Sequence, residues 1–132
     1  MRGFVFSLAL MMAAGPGLAQ QDDIRDVISG QFDAFRAGDA AQAFGFASPM
    51  IKRIFRTPEN FGAMVQGGYP MIWSPGKVEF LGLRDVRGTQ YQRVRVTDKG
   101  GRVFFFDYEM VETPDGWQIN GVFPVESPDL AA

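Results

Sequence analysis

Cysteine and histidine are both absent from the 132 residues. Without cysteine there are no disulfides, no thiolate metal ligands, no thiol nucleophile and no attachment point for lipid on an N-terminal cysteine. Without histidine the commonest general base and the commonest imidazole ligand for zinc, copper or iron are missing too. A carboxylate-only calcium site would survive both absences, but no D-x-[DN]-x-[DN]-G loop occurs. No metal and no cofactor is therefore expected. The patterns G-x-S-x-G, P-loop and G-x-G-x-x-G are absent as well. Phe61-Gly62-Ala63 and Gly67-Gly68-Tyr69 read as glycine punctuation, not as phosphate loops. Nor is there a basic excess: 13 basic against 15 acidic residues give a formal net charge of −2. Nucleic-acid binding rests on neutralising phosphates with Lys and Arg, so no nucleic-acid partner is expected.

What is present begins with an export pattern. Arg2 and the start amine form a short positive region, and Phe4 to Ala14 is an uncharged apolar run. Gly15-Pro16 is expected to break the helix, and Gly17-Leu18-Ala19 offers small residues at the −3 and −1 positions of a cleavage site. The run is too short to remain as a spanning anchor. The sequence thus predicts a signal peptide over 1–19, a single domain over 20–126 and a flexible tail over 127–132. It also predicts export to the periplasm or beyond, with no stable membrane anchor after cleavage. Removing Arg2 leaves 12 basic and 15 acidic residues, net −3, on about 113 residues, a size for one hydrophobic core.

Before Pro75 the apolar spacing is helical. Ile24, Val27, Ile28, Phe32 and Phe35 make one stripe, predicting a first helix from about Asp22 to Ala37. Asp22 and Asp23 suit its positive end, and Gly38 its C-terminal stop. Asp39 opens a short second helix with Gln42 as capping-box partner, anchored by Phe44 and Phe46. Ser48-Pro49 and Thr57-Pro58-Glu59 repeat a cap-then-proline signal. They predict a third helix carrying Met50, Ile51, Ile54 and Phe55, and a fourth through Phe61, Met64 and Val65 that stops at Gly67-Gly68. Tyr69 to Pro75, with two prolines, reads as an extended connection packed on the core.

After Pro75 the pattern alternates with period two. Strands are expected at about 77–83, 89–97, 102–112 and 117–123. The central hairpin can be registered from chemistry. With Lys99-Gly100-Gly101 as its loop, Val96, Val94, Gln92 and Gln90 face Phe104, Phe106, Tyr108 and Met110 on one side. On the other side Arg95 meets Phe105, Arg93 meets Asp107 and Tyr91 meets Glu109. A one-residue slip would lose both the apolar face and the opposite-charge pair. Thr113-Pro114-Asp115-Gly116 is a turn signal into the last strand, whose Trp117, Ile119 and Phe123 are expected on the inner face. The expected fold class is α+β, with N-terminal helices on one face of a curved, four-stranded antiparallel sheet.

The long first helix ending at Ala37-Gly38-Asp39 and the closing Asp115-Gly116-Trp117-Gln118-Ile119 resemble the cystatin-like cone. Nuclear transport factor two, ketosteroid isomerase and SnoaL-like proteins share that fold. A sharper likeness, to an uncharacterised bacterial family of small exported proteins described as a domain of unknown function, rests on its central pattern. Here that pattern is Ala47-Ser48-Pro49, Thr57-Pro58-Glu59-Asn60-Phe61 through Met64-Val65, and Gly68-Tyr69-Pro70. The resemblance implies the fold and brings no activity.

Cone-shaped members keep a pocket between sheet and helices. Its candidate lining here is Phe104, Phe106, Tyr108, Met110, Trp117 and Ile119, closed by Phe32, Phe35 and Trp73. The alternative is that these side chains simply fill the core. Gln90 and Gln92 either orient a ligand or sit at a wet strand end. An isomerase-like enzyme would need a tyrosine beside carboxyl groups, and Tyr108 is the best-placed tyrosine. Alternation sends its neighbours Asp107 and Glu109 to the opposite face, so no catalytic residue is assigned. Tyr108 itself, buried in the strand, is expected to find a hydrogen-bond partner for its hydroxyl. Lys52, Arg53 and Arg56 form a basic cluster on the third helix that reads either as a solvated face or as a contact for an anionic membrane or acidic partner.

Three functions compete on this reading: an exported, non-catalytic binding or interaction module for a small apolar ligand; a small SnoaL- or ketosteroid-isomerase-like enzyme using the pocket tyrosine and a carboxylate; and a homodimer paired through the outer sheet face at Tyr91 and Phe105. The export reading is checked by mass spectrometry of the native protein, which is expected to start at Gln20; an intact Met1 start would refute it.

Overall fold

The computed structural model describes residues 7–126; the positive region at Arg2 and the expected tail over 127–132 lie outside the described residues. Five helices precede four strands: α1 (Ser7–Arg36), α2 (Ala40–Gly45), α3 (Pro49–Phe55), α4 (Pro58–Gly68) and α5 (Pro70–Trp73), then β1 (Pro75–Val86), β2 (Thr89–Asp98), β3 (Val103–Thr113) and β4 (Gly116–Val125). The strands form an open antiparallel meander in the order β1-β2-β3-β4. The helices pack against it, so the α+β class holds.

The helical layer follows its capping signals. The apolar stripe of α1 buries Ile24, Ile28, Phe32 and Phe35, as its spacing requires. At its end Gly38 takes φ +69°, its N–H donates to Phe35 O, and the Asp39 N–H donates to Ala34 O. These two bonds satisfy carbonyls that a helix end otherwise leaves open. The Asp39 carboxylate then accepts from Gln42 N at 3.0 Å. The expected reciprocal half of that capping box does not form, because Ala34 O already takes the Asp39 N–H. Ser48 and Thr57 cap α3 and α4 by accepting from Ile51 N and Asn60 N, with proline at the first helical position in each.

Two helical expectations are corrected. Gly15-Pro16 does not break the chain's first helix, and Asp22 and Asp23 do not open it: α1 is continuous from Ser7, and the expected processing site after Ala19 falls within it. A proline removes one bond of a helical ladder, while the leucine, methionine, alanine and glutamine around it favour helix on both sides. The segment after Tyr69 is not extended. Its proline starts a single turn, α5, which closes with Trp73 N donating to Tyr69 O and buries Ile72. Among the described residues no helix is long and apolar enough to cross a membrane.

The hairpin register is the one that chemistry selects. Val94 pairs with Phe106 and Gln92 with Tyr108 on the inner face, Arg93 with Asp107 and Tyr91 with Glu109 on the outer. Gly101 takes the left-handed position of the loop. Val94, Val96, Phe106, Tyr108, Met110 and Ile119 are buried in the same core as the apolar stripe of α1. Phe123 does not join them. A bulge at Asn120 separates the pairs Met110–Ile119 and Glu109–Gly121, which reverses the alternation beyond it. Val122 therefore faces inward opposite Tyr108, and Phe123 comes out opposite Asp107, 47% exposed.

The outer face is pinned by ion pairs. Arg93 donates Nε and Nη2 to the two Asp107 oxygens at 2.8 and 2.9 Å, and Arg84 Nη2 reaches the same carboxylate at 2.8 Å, so one acid ties β1, β2 and β3. Burial opposes ionisation of Asp107 and is the largest single influence on it. The hydrogen bonds and charges of Arg93 and Arg84 together outweigh that influence and hold its carboxyl below the ordinary value of 3.8. A carboxyl depressed in the folded state contributes stability above its unfolded pKa and loses it as pH falls through the lower, folded one. Asp107→Asn is accordingly expected to cost about 2 kcal/mol near neutrality by breaking charge-assisted bonds. Denaturant titrations should show that difference shrinking below about pH 4. A constant gap between the two proteins from pH 7 to pH 2 would refute the assignment.

Candidate functional site

The bulge at Asn120 and the link between α2 and α3 meet at one seam. Ser48 N donates to Ile119 O at 2.8 Å, and Ile119 N donates to Phe46 O at 2.9 Å, giving a short parallel bridge at Ala47 along the free edge of β4. Ser48 Oγ donates to Asn120 Oδ1 at 2.7 Å while accepting from Ile51 N, and Asn120 Nδ2 donates to Glu109 Oε2 at 2.8 Å. The seam holds α3 beside β4 and keeps it off the middle of the sheet.

Between α3, α4 and the β3–β4 edge lies a cavity of about 370 Å³. Gln31 and Phe35 of α1 form its floor; Met50, Ile51 and Phe55 come from α3, and Phe61, Met64 and Val65 from α4. Tyr69, Ile72, Tyr108 and Ile119 to Phe123 complete it. None of these residues is charged. The polar groups are few, and most are spoken for: Gln31 Nε2 donates to Ala43 O at 3.1 Å, and both ends of the Asn120 amide are bonded at the seam.

Tyr108 is different. It is fully buried, and its hydroxyl has no hydrogen-bond partner among the described residues, contrary to the expectation that it would find one. Burial alone pushes the phenol well above its ordinary value, so it stays a neutral donor across the physiological range. Its cross-strand neighbour Gln92 carries an unpartnered acceptor, Oε1, so a free donor and a free acceptor sit on paired residues of the inner face.

The structure brings three of the sequence's pocket candidates together, Phe35, Tyr108 and Ile119, and sends the others elsewhere. Phe32 is core, its ring 6.0 Å from that of Tyr108. Met110 is core, and Trp117 packs against it half-buried. Trp73 meets the Phe35 ring in a tilted contact, centroids 5.5 Å apart. Phe104 and Phe106 line a second concavity of about 570 Å³ at the other end of the sheet, with Tyr69, Met71 and Arg95. That hollow is larger, but no unpartnered buried polar atom lies in its wall, so it lacks the group that would orient a ligand. Gln90 bonds Asp85 in the β1–β2 hairpin. Gln92 is fully buried and donates Nε2 to Leu81 O at 3.0 Å and to Arg93 O at 2.9 Å, supporting the irregular stretch of β1.

The residues missed are the apolar ones on α3 and α4 and the short run after the bulge. Their signal was present. Ile51 and Phe55 lie four apart, as do Phe61 and Val65, and Asn120-Gly121 inside a strand is a bulge signature. Among the described residues no group of three acidic side chains is placed to hold a metal ion.

Because the Tyr108 hydroxyl is buried without a partner, Tyr108→Phe is expected to raise stability by about 1 kcal/mol, the penalty of an unsatisfied polar group being removed. Chemical denaturation measures this. A loss of similar size would show that the hydroxyl is bonded within the folded protein.

No curated protein and no solved structure matches the chain. Among protein families, residues 18–132 match the one described as a domain of unknown function, DUF4864. The match spans the capped helices, the seam and the whole meander, and the chain belongs to that family.

Proposed function

We propose that this protein is an exported, non-catalytic binding module that takes a small apolar ligand into the cavity between α3, α4 and β4. The observation that carries the reading is the uncharged, mostly apolar lining of that cavity, with the Tyr108 ring buried in its wall and the hydroxyl, unpartnered among the described residues, closed off behind it. Ligand sites of roughly 300–1,000 Å³ typically combine an apolar lining with a few such groups. The ligand that fits has an apolar body, and an acceptor on it would meet the phenol where the neighbouring side chains shift to uncover the hydroxyl. An isomerase-like reaction would need a carboxylate at that point. Asp107 is engaged by two arginines and Glu109 by Asn120, both on the outer face, which favours binding over turnover.

The cone-like fold, and the likeness to small exported bacterial proteins, support the same reading from the sequence side. The leader pattern supports export. A second copy would pair through the outer face, where Val103 and Phe123 lie exposed on either side of Phe105.

The test is a titration with cis-parinaric acid, a fluorescent fatty acid whose carboxylate supplies the acceptor. Saturable binding to the wild type is expected. Tyr108→Phe should weaken it roughly 3- to 10-fold, the worth of one hydrogen bond. Val122→Trp, which fills the cavity, should abolish it in a protein that still melts cooperatively. No saturable binding, or unchanged binding to the tryptophan variant, would overturn the proposal.

A further inference from the structure

The helix that walls the pocket also carries its own surface chemistry. In α3, Ile51 and Phe55 point to the cavity, one helical turn apart. Met50, Arg53 and Ile54 share the opposite, outward face at three- and four-residue spacing. Met50 is 39% exposed and Ile54 61%. Met50 belongs to both surfaces, because it also lines the cavity, as does Phe123, 47% exposed across the opening on β4. The rim of the pocket therefore presents large apolar side chains to solvent.

The same seven-residue helix and its cap supply three cations, Lys52, Arg53 and Arg56, and no acid. Arg53 and Arg56 are exposed and make no side-chain hydrogen bond or ion pair among the described residues. Lys52 Nζ reaches only the carbonyl of Gly45, at 3.3 Å. The nearest acid in the chain is Glu59, in the first turn of α4. On a protein of net charge −2, this is a local reversal of sign beside an apolar opening.

Exposed apolar residues interleaved with unpaired cations on one short amphipathic helix are the chemistry of an interface between anionic headgroups and acyl chains. A folded acidic partner would satisfy the cations but would leave unexplained why Met50, exposed among them, also rims an open cavity. We infer that α3 docks on an anionic lipid surface and sets the mouth of the pocket against the bilayer, so that the pocket's ligand is a single lipid acyl chain entering from the membrane. This rests on the pocket reading above and names its ligand class.

Cosedimentation of the purified chain with vesicles tests it, comparing phosphatidylglycerol mixed equally with phosphatidylcholine against phosphatidylcholine alone. Binding is expected only to the anionic vesicles and should weaken in high salt. The double substitution Arg53→Gln, Arg56→Gln should lower the partition coefficient roughly 10- to 30-fold, each cation near such a surface being worth several-fold. Ile54→Ser should lower it about 10-fold, because one large apolar side chain no longer enters the interface. None of these three residues lines the cavity, so affinity for parinaric acid in free solution should not change.

Equal binding to both vesicle types, or no binding to either, overturns the docking inference while leaving the pocket reading to its own titration. Vesicle binding by a protein that takes up no parinaric acid retains docking and overturns the acyl-chain assignment together with the pocket. A dimer in sedimentation velocity that Ile54→Ser dissolves would assign the patch to a second copy and overturn docking as well.

Discussion

The seam between Ser48 and the Asn120 bulge is the constraint from which the arrangement of the helical layer follows. It joins residues 72 apart in the chain, and each polar atom of Ser48 has a task in it: the N–H meets Ile119, and the hydroxyl both caps α3 and holds the Asn120 amide. Ser48 is buried, so none of these bonds is exchanged freely with water. Because the cap of a helix and the anchor of an edge strand are the same side chain, α3 cannot slide along β4 without losing its own first turn. The cavity lies behind α3, which the seam holds at the margin of the sheet, with Gln31 and Phe35 of α1 as its floor.

The two faces of the sheet divide the chemistry. Asp107 and Tyr108 are neighbours in sequence and opposites in environment. The acid is charged, clamped by Arg93 and Arg84, and committed to joining three strands. The phenol is neutral, dry and unbonded. Alternation along β3 is all that separates them. A protein with a carboxylate beside its tyrosine in sequence thus has none beside it in space, and a motif search on this stretch would mistake adjacency for a catalytic pair.

Much of this was legible in the sequence, and the limits have physical causes. The cap-proline pairs at Ser48 and Thr57 located α3 and α4 because an N-cap is a local hydrogen bond between residues three apart. The β2–β3 register was readable because a slip would have set Arg93 against Phe106. Phe123 was misplaced because alternation was carried through Asn120-Gly121, where one extra residue reverses every side chain that follows. The candidate lining named Phe104, Phe106 and Met110 but no residue of α3 or α4, because strand patterns tell which residues face inward but not which helix covers them. The cavity beside α3 depends on Ser48 meeting Ile119 and Asn120, a long-range contact that no periodicity encodes. Likewise, whether Tyr108 finds a partner depends on what stands opposite its hydroxyl, not on its place in a strand.

An open sheet has two edges, and each is irregular here. β1 pairs with β2 through register shifts between Pro75 and Lys77 and between Phe80 and Leu83. At the first of these, a side chain on Gly76 would stand only 2.8 Å from the Thr97 carbonyl. At the second, Gln92 reaches across to Leu81 O and Gly82 O. β4 is bridged at Ile119 by the α2–α3 link and carries Pro124 beyond its bulge. Neither margin offers a long, flat row of free peptide groups, which is what templates strand-by-strand stacking of one chain on another. In a chain with no disulfide to restrain it and 46% of its residues hydrophobic, such crooked edges work against the edge-to-edge pairing that builds amyloid-like aggregates.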